Sequence, residues 1–438
     1  MNQFQLLRSR RLAPLFAVQF LGAFNDNVFR FALVIFITFT LADKIGIDPG
    51  SLVVISGGIF ILPFFLFSSL AGEIADKFEK SELIRRIKFA EILVMGLGAL
   101  AFRLESAVLL LFVLFLMGTQ SAFFGPLKYG ILPQHLEESE LTGGNALIQM
   151  GTYAAILIGG ITGGLLAAIG DRGPNLVIGS VLFLAICGWL FARAIPTASA
   201  ADAQLKITWN LPQATGRLLK YVAKDRKVLT LVLTISWFWF LGATFLSLIP
   251  TYAKEFLQAD EQGVTLLTAA FTIGIGIGSL LCERYSRGRI ELGLVPIGFI
   301  GISLFAADFW LAGVPTGEPG QLSMVALLSY LPALRAFADL AMIGAFGAIF
   351  IVPLYAALQA QVEPAHCARV IAALNVTNAA FMVFSALITL VLLHIQLNIP
   401  DIFGIVAVLN LIVFGGAHWA LPEFASRARS IIPRPDNS

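Results

Sequence analysis

The chain has 438 residues, of which 58% are hydrophobic and 13% are charged, and its formal net charge is +2. A typical soluble domain carries about 25% charged residues, so this composition excludes an ordinary soluble protein and favours one embedded in a membrane. So small a net charge gives no reason to expect a nucleic-acid partner. The three cysteines and four histidines are scattered, so the sequence predicts no disulfide framework, no metal site and no cofactor.

Twelve apolar runs recur along the chain, and each approaches the roughly 20 residues that a helix needs to span a bilayer. They lie near 12–41, 51–72, 84–102, 107–125, 144–169, 175–195, 228–252, 264–282, 292–312, 336–358, 372–393 and 402–419.

Lysine and arginine fall mainly on one side of these runs. With both termini in the cytoplasm, 23 of the 29 basic residues are cytoplasmic, among them those from Lys77 to Lys88; five are exported, and Arg30 is intramembrane. Cytoplasmic loops of membrane proteins are enriched in these residues. The sequence therefore predicts an all-α membrane protein with twelve transmembrane helices and both termini cytoplasmic.

The longest hydrophilic stretch separates the first six spans from the last six. The sequence predicts an N-terminal six-helix bundle over 1–195, a cytoplasmic linker over 196–227, a C-terminal six-helix bundle over 228–422 and a cytoplasmic tail over 423–438. Two halves joined in this way are typical of a transporter built from parallel repeats.

Two pairs of short segments stand at matching positions in the two halves. The second span ends in 72–80 (GEIADKFEK), and the eighth ends in 278–284 (GSLLCER). The fourth span ends near Pro126, and the tenth near Pro353. These matches support an internal repeat, and they make Glu283 and Arg284 candidate gating residues.

The segment 72–80 resembles the major facilitator loop motif, Gly-x-x-x-Asp-(Arg/Lys)-x-x-(Arg/Lys), through Gly72, Asp76, Lys77 and Lys80. The resemblance implies that the aspartate engages the other half when the cytoplasmic side is closed. Its expected partner is the start of the eleventh span, where the helix dipole and Arg369 both attract a carboxylate. These residues are the predicted gate; the alternative is a turn with solvated charges.

A block of polar residues interrupts the first span. The block comprises Asn25, Asp26, Asn27 and Arg30. Asp26 and Arg30 are the only ionisable residues between 12 and 41. A charge at the bilayer centre costs about 3 kcal/mol on insertion scales, so it needs a partner or a water-filled cavity. Asp26 and Arg30 are four residues apart, which places them on one helix face. We interpret the block as substrate-binding; the alternative is an ion pair that only holds helices together.

The fourth span supplies two further candidates, Lys128 and Tyr129, just past Pro126. A proline removes a helical hydrogen bond and kinks or ends a helix, so we expect a break at Pro126 that turns Lys128 inward. The alternative for Lys128 is an ordinary basic residue at the cytoplasmic end of a span.

Uncharged side chains complete the set of substrate-binding candidates. Gln149 shares a face of the fifth span with Asn145, Asn375 lies in the eleventh, and Trp239 lies near the middle of the seventh. Amides in spans also hold helices together, and tryptophan also anchors at the membrane interface. Those structural roles are the alternatives.

The scarcity of charge in the spans favours an amphiphilic cargo. The chain has 37 phenylalanines and few intramembrane polar groups, whereas a sugar-like cargo would need many more. A carboxylate with a nearby cation complements a zwitterionic head group that carries an amine and a phosphate. Asp26 is also a candidate proton-binding group, but the sequence indicates no second intramembrane carboxylate placed for a relay.

Three segments together resemble the bacterial lysophospholipid transporter family of the major facilitator superfamily. They are 20–27 (FLGAFNDN), 125–132 (GPLKYGIL) and 352–359 (VPLYAALQ), and the resemblance covers essentially all twelve spans. It implies uptake of lysophospholipids, chiefly lysophosphatidylethanolamine, from the outer to the inner leaflet of the bacterial inner membrane. The motif match implies that Asp26 and Lys128 handle the head group.

The resemblance also implies partners. An acyltransferase/acyl-carrier-protein synthetase would re-acylate the cargo. Standalone members carry an arginine in the seventh span, whereas 228–252 contains none, and 237–244 (WFWFLGAT) is more similar to members fused to that enzyme. Arg30 is then the candidate for the missing cation. A monomer surrounded by membrane lipids is expected.

Other functions are weighed against this one. Within the same fold, the alternative is a proton-coupled exporter of drugs or small amphiphilic solutes. The sequence lacks a Gly-x-Ser-x-Gly elbow, a His-Glu-x-x-His pair and a nucleotide-binding loop, so we predict that the chain is not an enzyme. A passive scramblase would differ from an alternating-access carrier by tolerating changes at Asp76.

Overall fold

The computed structural model describes residues 3–36, 49–169, 172–259, 261–286, 289–313, 327 and 329–424. Within these ranges the regular structure consists of fourteen α-helices and two short 3-10 helices, Gln3–Arg8 and Pro364–His366, so the predicted all-α class is confirmed. The α-helices are α1 (Ala13–Phe36), α2 (Pro49–Lys77), α3 (Lys80–Arg103), α4 (Ala107–Gly130), α5 (Leu132–His135), α6 (Glu138–Ala167), α7 (Gly173–Ala192), α8 (Leu211–Lys224), α9 (Arg226–Glu255), α10 (Glu261–Ser286), α11 (Leu294–Ala312), α12 (Leu331–Gln361), α13 (Cys367–His394) and α14 (Ile399–Ala420). Most of the predicted tail, from residue 425 onward, lies outside the described residues.

Ten of the described helices are long and apolar enough to cross a membrane. The other two long helices, α1 and α3, have 24 residues each and contain blocks of polar and charged residues that lower their mean hydropathy. A helix of that length extends about 36 Å, which is sufficient for a bilayer. The structure is thus that of a multi-pass membrane protein, while the count of twelve spans and the cytoplasmic placement of both termini stay predictions.

The fourth span corrects one expectation. Helix α4 does not end at Pro126 but continues to Gly130, where the amide of Ile131 donates to the Leu127 carbonyl oxygen. Proline is tolerated inside transmembrane helices because neighbouring groups satisfy the freed backbone atoms. Lys128 therefore lies on the last turn of a continuous helix.

Corresponding helices of the two halves pack in the same pairs. The pairs α2–α4, α1–α7, α3–α7 and α3–α4 of the first half recur as α10–α12, α9–α14, α11–α14 and α11–α12 of the second. Glycines permit the closest approaches, because a Cβ at Gly118 would overlap the Phe60 carbonyl oxygen and one at Gly278 would overlap that of Ala345. This recurrence is what two parallel repeats would produce.

The described chain forms two compact units that are not divided simply by chain order. Unit 1 comprises Met1–Glu137, Ala154–Ala223 and Val362–Ala379; unit 2 comprises Glu138–Tyr153, Lys224–Gln361 and Ala380–Ser438. The bundle boundaries at 195 and 228 stay predictions.

The hydrophilic stretch 196–227, predicted as a linker, contains a helix that its polar sequence does not indicate. Helix α8 buries Ala214, Leu218 and Val222, which are four residues apart and therefore lie on one face. The Asn210 side-chain oxygen accepts a hydrogen bond from the Gln213 amide at 3.1 Å and caps its first turn. This part of the linker is a folded element of unit 1.

Candidate functional site

The packing of α1 determines which of its polar residues are accessible. Val28, Phe29 and Ala32 are buried in a hydrophobic core formed with α3, α4 and α7. Asp26 and Arg30 lie on a neighbouring face and are half-buried. Ionisable side chains in membrane helices usually face the bundle interior or a water-filled cavity, so this face is the candidate lining of a polar pathway.

A second carboxylate, Glu91 of α3, is the centre of a buried cluster. Its Oε1 accepts a hydrogen bond from Asn25 Nδ2 at 2.9 Å, and its Oε2 accepts bonds from Lys88 Nζ at 2.6 Å and from Gln120 Nε2 at 3.0 Å. The side chains of Lys88 and Glu91 are 1% and 3% exposed. We call Asn25, Lys88, Glu91 and Gln120 the Glu91 cluster. Three donors, one of which carries the opposite charge, compensate the buried carboxylate.

Asp26 adjoins this cluster through Ser121 of α4. The Ser121 hydroxyl donates to Asp26 Oδ2 at 2.8 Å, and it lies 3.4 Å from Gln120 Oε1. The other carboxylate oxygen, Asp26 Oδ1, has no hydrogen-bond partner among the described residues. One oxygen of Asp26 is therefore held by Ser121, and the other is buried without a partner among the described residues.

Arg30 of α1 and Lys128 of α4 each lie beside an aromatic ring. The Arg30 guanidinium lies 4.6 Å from the centroid of the Phe60 ring, and Lys128 Nζ lies 4.7 Å from the centroid of the Tyr129 ring. In the part of the chain that the structure describes, no carboxylate forms an ion pair with Lys128. Its ammonium is thus available for an anionic group.

Asn375 of α13 lies close to Lys128 along α4. A Cβ at Gly125 would approach Asn375 Nδ2 to 2.6 Å, so the glycine makes room for the amide. Asn375 Nδ2 has no hydrogen-bond partner within the described ranges. The amide is a further free donor in unit 1.

The structure adds two charged residues to the expected set. Lys88, counted with the cytoplasmic basic residues, is buried within α3, and Glu91 is a second carboxylate of the same helix, bonded to the neighbour of Asp26. The signal was present in the sequence, because both residues lie in the predicted span 84–102 with the three-residue spacing of a helical ion pair. Gln120 and Ser121 were also missed, since isolated polar residues in an apolar run carry no comparable signal.

Three other predicted binding residues have surroundings of their own. Asn27 Nδ2 donates to the Ala23 carbonyl oxygen of its own helix. Gln149 and Trp239 belong to unit 2, where Gln149 is buried and the Trp239 indole donates to the Tyr355 hydroxyl at 3.4 Å. These bonds of Asn27 and Trp239 join them to residues other than those of the Glu91 cluster.

The predicted contact of Asp76 is present. Its carboxylate is fully buried and accepts hydrogen bonds from the Ala368 amide at 3.2 Å, the Arg369 amide at 3.2 Å and Arg369 Nε at 3.0 Å. These groups form the first turn of α13, where the helix dipole attracts a negative charge. Gly72 permits the approach, because a Cβ there would come within 2.6 Å of Ala372 Cβ.

The linker contributes to the same contact, which sequence reasoning did not anticipate. Asp202 Oδ2 lies 3.5 Å from Arg369 Nη2, and the Asp202 amide donates to the Asp76 carbonyl oxygen at 2.9 Å. Arg369 is thus shared between two carboxylates. We call Asp76, Asp202, Ala368 and Arg369 the cytoplasmic contact, after the side of the membrane that the sequence predicts for them.

Glu79 fastens the linker to the start of α3. Its Oε1 accepts hydrogen bonds from the amides of Ser81 and Ala198, and its Oε2 accepts one from the Glu82 amide. Burial alone would raise the pKa of Glu79, but these bonds and one from the Ser81 hydroxyl outweigh it and lower the pKa. The carboxylate therefore caps the helix in its charged form.

The remaining gating candidates differ between the two halves. Lys80 is fully buried near Asp76, and Lys77 is half-buried with its ammonium 5.8 Å from the centroid of the Phe78 ring. In the second half, Arg284 is exposed and Glu283 is half-buried, with Oε2 lacking a hydrogen-bond partner among the residues described. The sequence match at 278–284 therefore does not reproduce the contacts of Asp76.

The fold and the charged groups inside it define a multi-pass helical membrane protein of the transporter class. The chain belongs to the Major Facilitator Superfamily, whose family model matches residues 15–338. The human organic anion transporter MFSD10 has the same fold, with a TM-score of 0.72 and 14% identity over 92% of this chain and 99% of that one. The fucose:proton symporter FucP of E. coli gives a TM-score of 0.69 and 15% identity over 93% and 98%. The predicted major facilitator fold is confirmed.

Sequence relatives are more specific than these structures. The chain is 27% identical to the lysophospholipid transporter LplT of Serratia proteamaculans (strain 568) over 363 residues, which cover 81% of each chain. It is 28% identical to LplT of Yersinia pestis (strain Pestoides F) over 360 residues, which cover 81% of this chain and 79% of the relative. These relatives are transporters, which supports the prediction that the chain is not an enzyme.

Proposed function

We propose that this protein moves lysophosphatidylethanolamine and related lysophospholipids from the outer to the inner leaflet of the bacterial inner membrane by alternating access. The observation that carries the proposal lies in unit 1: α1 holds a carboxylate with one buried, unpartnered oxygen, and α4 holds an ammonium without an ion-pair partner, both among the described residues. The similarity to the LplT proteins supports the same cargo.

A zwitterionic head group would complement these two charges. Asp26 Oδ1 would accept a hydrogen bond from the ammonium of the cargo, and Lys128 Nζ would donate to its phosphate. Such charge-assisted hydrogen bonds are roughly twice as strong as neutral ones. Arg30 would supply a second positive charge on the same face as Asp26, and the Asn375 amide a further donor.

The aromatic side chains of α1 suit the acyl chain. Phe16, Phe20 and Phe24 are half-buried and form a series of stacked rings with 6.2 Å between successive centroids. Burial of apolar surface stabilises a complex by about 25 cal/mol per Å². A lysolipid would therefore bind by its head group to charged residues and by its chain to rings of the same helix.

The cytoplasmic contact is the proposed gate. Asp76 joins α2 to the first turn of α13, with Gly72 allowing the close approach and Lys77 and Lys80 supplying positive charge nearby. Removing one partner of a buried ion pair costs about 3–5 kcal/mol, so this contact would favour the state in which it forms. Glu283 and Arg284 are proposed to act at the corresponding place in the second half.

The proposal includes the surroundings of the protein. An acyltransferase/acyl-carrier-protein synthetase, separate or fused, would re-acylate the delivered lysolipid, and the transporter would act as a monomer. The segment 237–244 and the lack of an arginine in 228–252 support the fused form as the closer relation, with Arg30 as the replacing cation.

Flipping of labelled lysophosphatidylethanolamine in proteoliposomes tests the proposal. Asp26→Asn and Lys128→Met should each lower the rate at limiting substrate about tenfold to a hundredfold, because hydrogen bonds to charged groups contribute about 1.5–3 kcal/mol. Asp308→Asn is the matched control: it removes a carboxylate whose ion pair with Arg335 is 41% and 45% exposed, and such pairs contribute little.

The outcomes separate the alternatives. Wild-type flipping without an imposed proton gradient, lost in both site variants and kept in Asp308→Asn, supports the proposal. Flipping that follows an imposed proton gradient would favour the proton-coupled exporter. Absence of lysolipid movement by the wild type would overturn the proposal.

A further inference from the structure

The linker runs along one face of α2 and approaches the membrane. Three contacts hold it there: the Asp202 amide donates to the Asp76 carbonyl oxygen at 2.9 Å, the Thr208 amide donates to Glu73 Oε2 at 2.6 Å, and the Thr215 and Ser69 hydroxyls lie 2.9 Å apart. Positions 69, 73 and 76 share one helix face and cover about 10 Å of α2. Position 69 lies inside the predicted span 51–72, so the first turns of α8 lie at the depth of the end of that span.

Helix α8 has an exposed apolar face in addition to its buried one. Pro212, Leu219 and Ala223 are spaced by seven and four residues, which places them on one side of the helix, and all three are exposed. Leu219 and Ala223 each follow a buried residue by one position, so this face is turned by about 100° from the buried face. At a membrane interface such a face is covered by the boundary between head groups and acyl chains.

Positive charge lies on the remaining side of α8 and on the segment before it. Residues 203–224 include four basic residues and no acidic one. Lys206 and Arg217 are exposed, and Arg217 lies nearly opposite Leu219 on the helix. Arg217 Nη1 donates to Thr208 Oγ1 at 3.1 Å, which keeps the guanidinium beside the preceding segment. An apolar face next to a basic one is typical of a helix that lies in the plane of a membrane interface.

Trp209 is an exposed aromatic residue at the same depth. Its side chain is 73% exposed, and it directly follows Thr208, whose amide binds Glu73 one position beyond the predicted span. Tryptophan is enriched at membrane–water interfaces, because its ring is apolar and its N–H is a hydrogen-bond donor. An exposed indole at the end of a span is therefore expected to contact lipid.

We propose that residues 203–224 form a membrane-interface element that binds anionic phospholipids of the cytoplasmic leaflet. Trp209 and Leu219 would contact the acyl boundary, while Lys206 and Arg217 would bind phosphate groups. A zwitterionic lipid offers the same apolar contacts but leaves the positive charge of this segment uncompensated, so charge complementarity favours an anionic head group. The inference concerns the surrounding lipid and does not depend on the cargo.

Quenching of Trp209 fluorescence by brominated lipids tests the inference in proteoliposomes. The chain has six tryptophans, so the signal of Trp209 is obtained as the difference between the wild type and Trp209→Phe. Brominated phosphatidylglycerol and brominated phosphatidylcholine are titrated separately into a phosphatidylcholine bilayer. Both should quench Trp209, and the anionic lipid should reach half-quenching at a mole fraction at least about fivefold lower, since each basic residue near an anionic surface contributes about that factor.

The preference for the anionic lipid should depend on the basic side chains. Lys206→Gln/Arg217→Gln should lose most of it, and so should the wild type in 1 M salt, where the screening length falls to about 3 Å. Quenching by brominated phosphatidylcholine should persist in both cases. The matched control is Arg103→Gln/Arg172→Gln, which removes two exposed positive charges on the predicted exported side and should keep the preference.

Two results would overturn the inference. Quenching of Trp209 by acrylamide in the water but by neither lipid would show that the segment lies outside the membrane, which would leave its basic surface to a soluble acidic partner. Equal quenching by the two lipids at every salt concentration would show that apolar contact alone holds the segment and that it has no preference for anionic lipid. The salt series uses the wild-type protein, so this decision does not rely on the folding of any charge variant.

Discussion

The absence of a side chain at Gly22 gives the Glu91 cluster its room. A Cβ there would overlap Lys88 Nζ, which cannot withdraw without leaving Glu91 or the Phe124 ring. We expect Gly22→Ala to lower the free energy of unfolding by on the order of 1–3 kcal/mol, measured by unfolding in detergent.

Two comparisons bound this prediction. Gly96→Ala on α3, where a Cβ would meet open space, should be neutral or stabilising, because alanine is the better helix former. In a Lys88→Met/Glu91→Gln background, which removes both charges of the pair together, Gly22→Ala should cost much less. Equal stability of the two alanine variants would show that Lys88 has another position available.

At the scale of residues, the sequence shows which charged residues need compensation in a membrane span, but not which residues provide it. Asp26 and Arg30 are recognisable because a charge in an apolar run needs compensation. The bonds that provide it join residues 95 apart, for Ser121 with Asp26, and 29 apart, for Gln120 with Glu91. Only helix packing determines which of many polar residues meet, so these partners could not be predicted.

At the scale of elements, long apolar helices and their pairing in two similar halves could be predicted because length and hydropathy are local properties. Helix α8 could not, since its buried face of Ala214, Leu218 and Val222 is short and surrounded by charge. The effect of Pro126 was misjudged because a proline inside a membrane helix depends on neighbouring groups rather than on its own sequence.

A prediction at the scale of elements concerns Asp202 of the linker. Asp202 shares Arg369 with Asp76 but is 34% exposed, whereas Asp76 is fully buried. Part-exposed ion pairs contribute about 0–1 kcal/mol, so Asp202→Asn should raise the equilibrium ratio of the open to the closed cytoplasmic contact by up to about fivefold. Asp76→Asn should raise the same ratio more than about tenfold, because it disrupts a buried pair.

The native thiol of Cys367 reports this opening. It is 3% exposed at the start of α13, beside the Ala368 amide that binds Asp76. Its alkylation rate by N-ethylmaleimide is measured with Cys187 and Cys282 replaced by serine. Lys220→Gln, an exposed change on α8, is the control and should leave the rate unchanged. An Asp202→Asn effect equal to or larger than that of Asp76→Asn would contradict this ranking.

At the scale of the whole molecule, the compact units do not follow the order of the chain. The segment Val362–Ala379 belongs to unit 1, although most of the residues that follow Lys224 belong to unit 2. Alternating access as proposed requires this segment to leave the cytoplasmic contact during each cycle. A carrier that kept it in place would have to bend α13 instead.

A reversible cross-link decides between these two motions. A Cβ at Gly130 would lie 3.2 Å from Ala368 Cβ, and a disulfide needs about 3.5–4.5 Å, so a small displacement admits one. In a background with all three native cysteines replaced by serine, Gly130→Cys/Ala368→Cys should lose lysolipid flipping by more than about tenfold on oxidation and regain it on reduction, whereas each single variant should be unaffected. Because the bond holds the first turn of α13 against α4 within unit 1, loss of transport would mean that this turn must move. Full transport with the disulfide completely formed would place the moving joint beyond Ala368 and exclude the cytoplasmic contact as the gate.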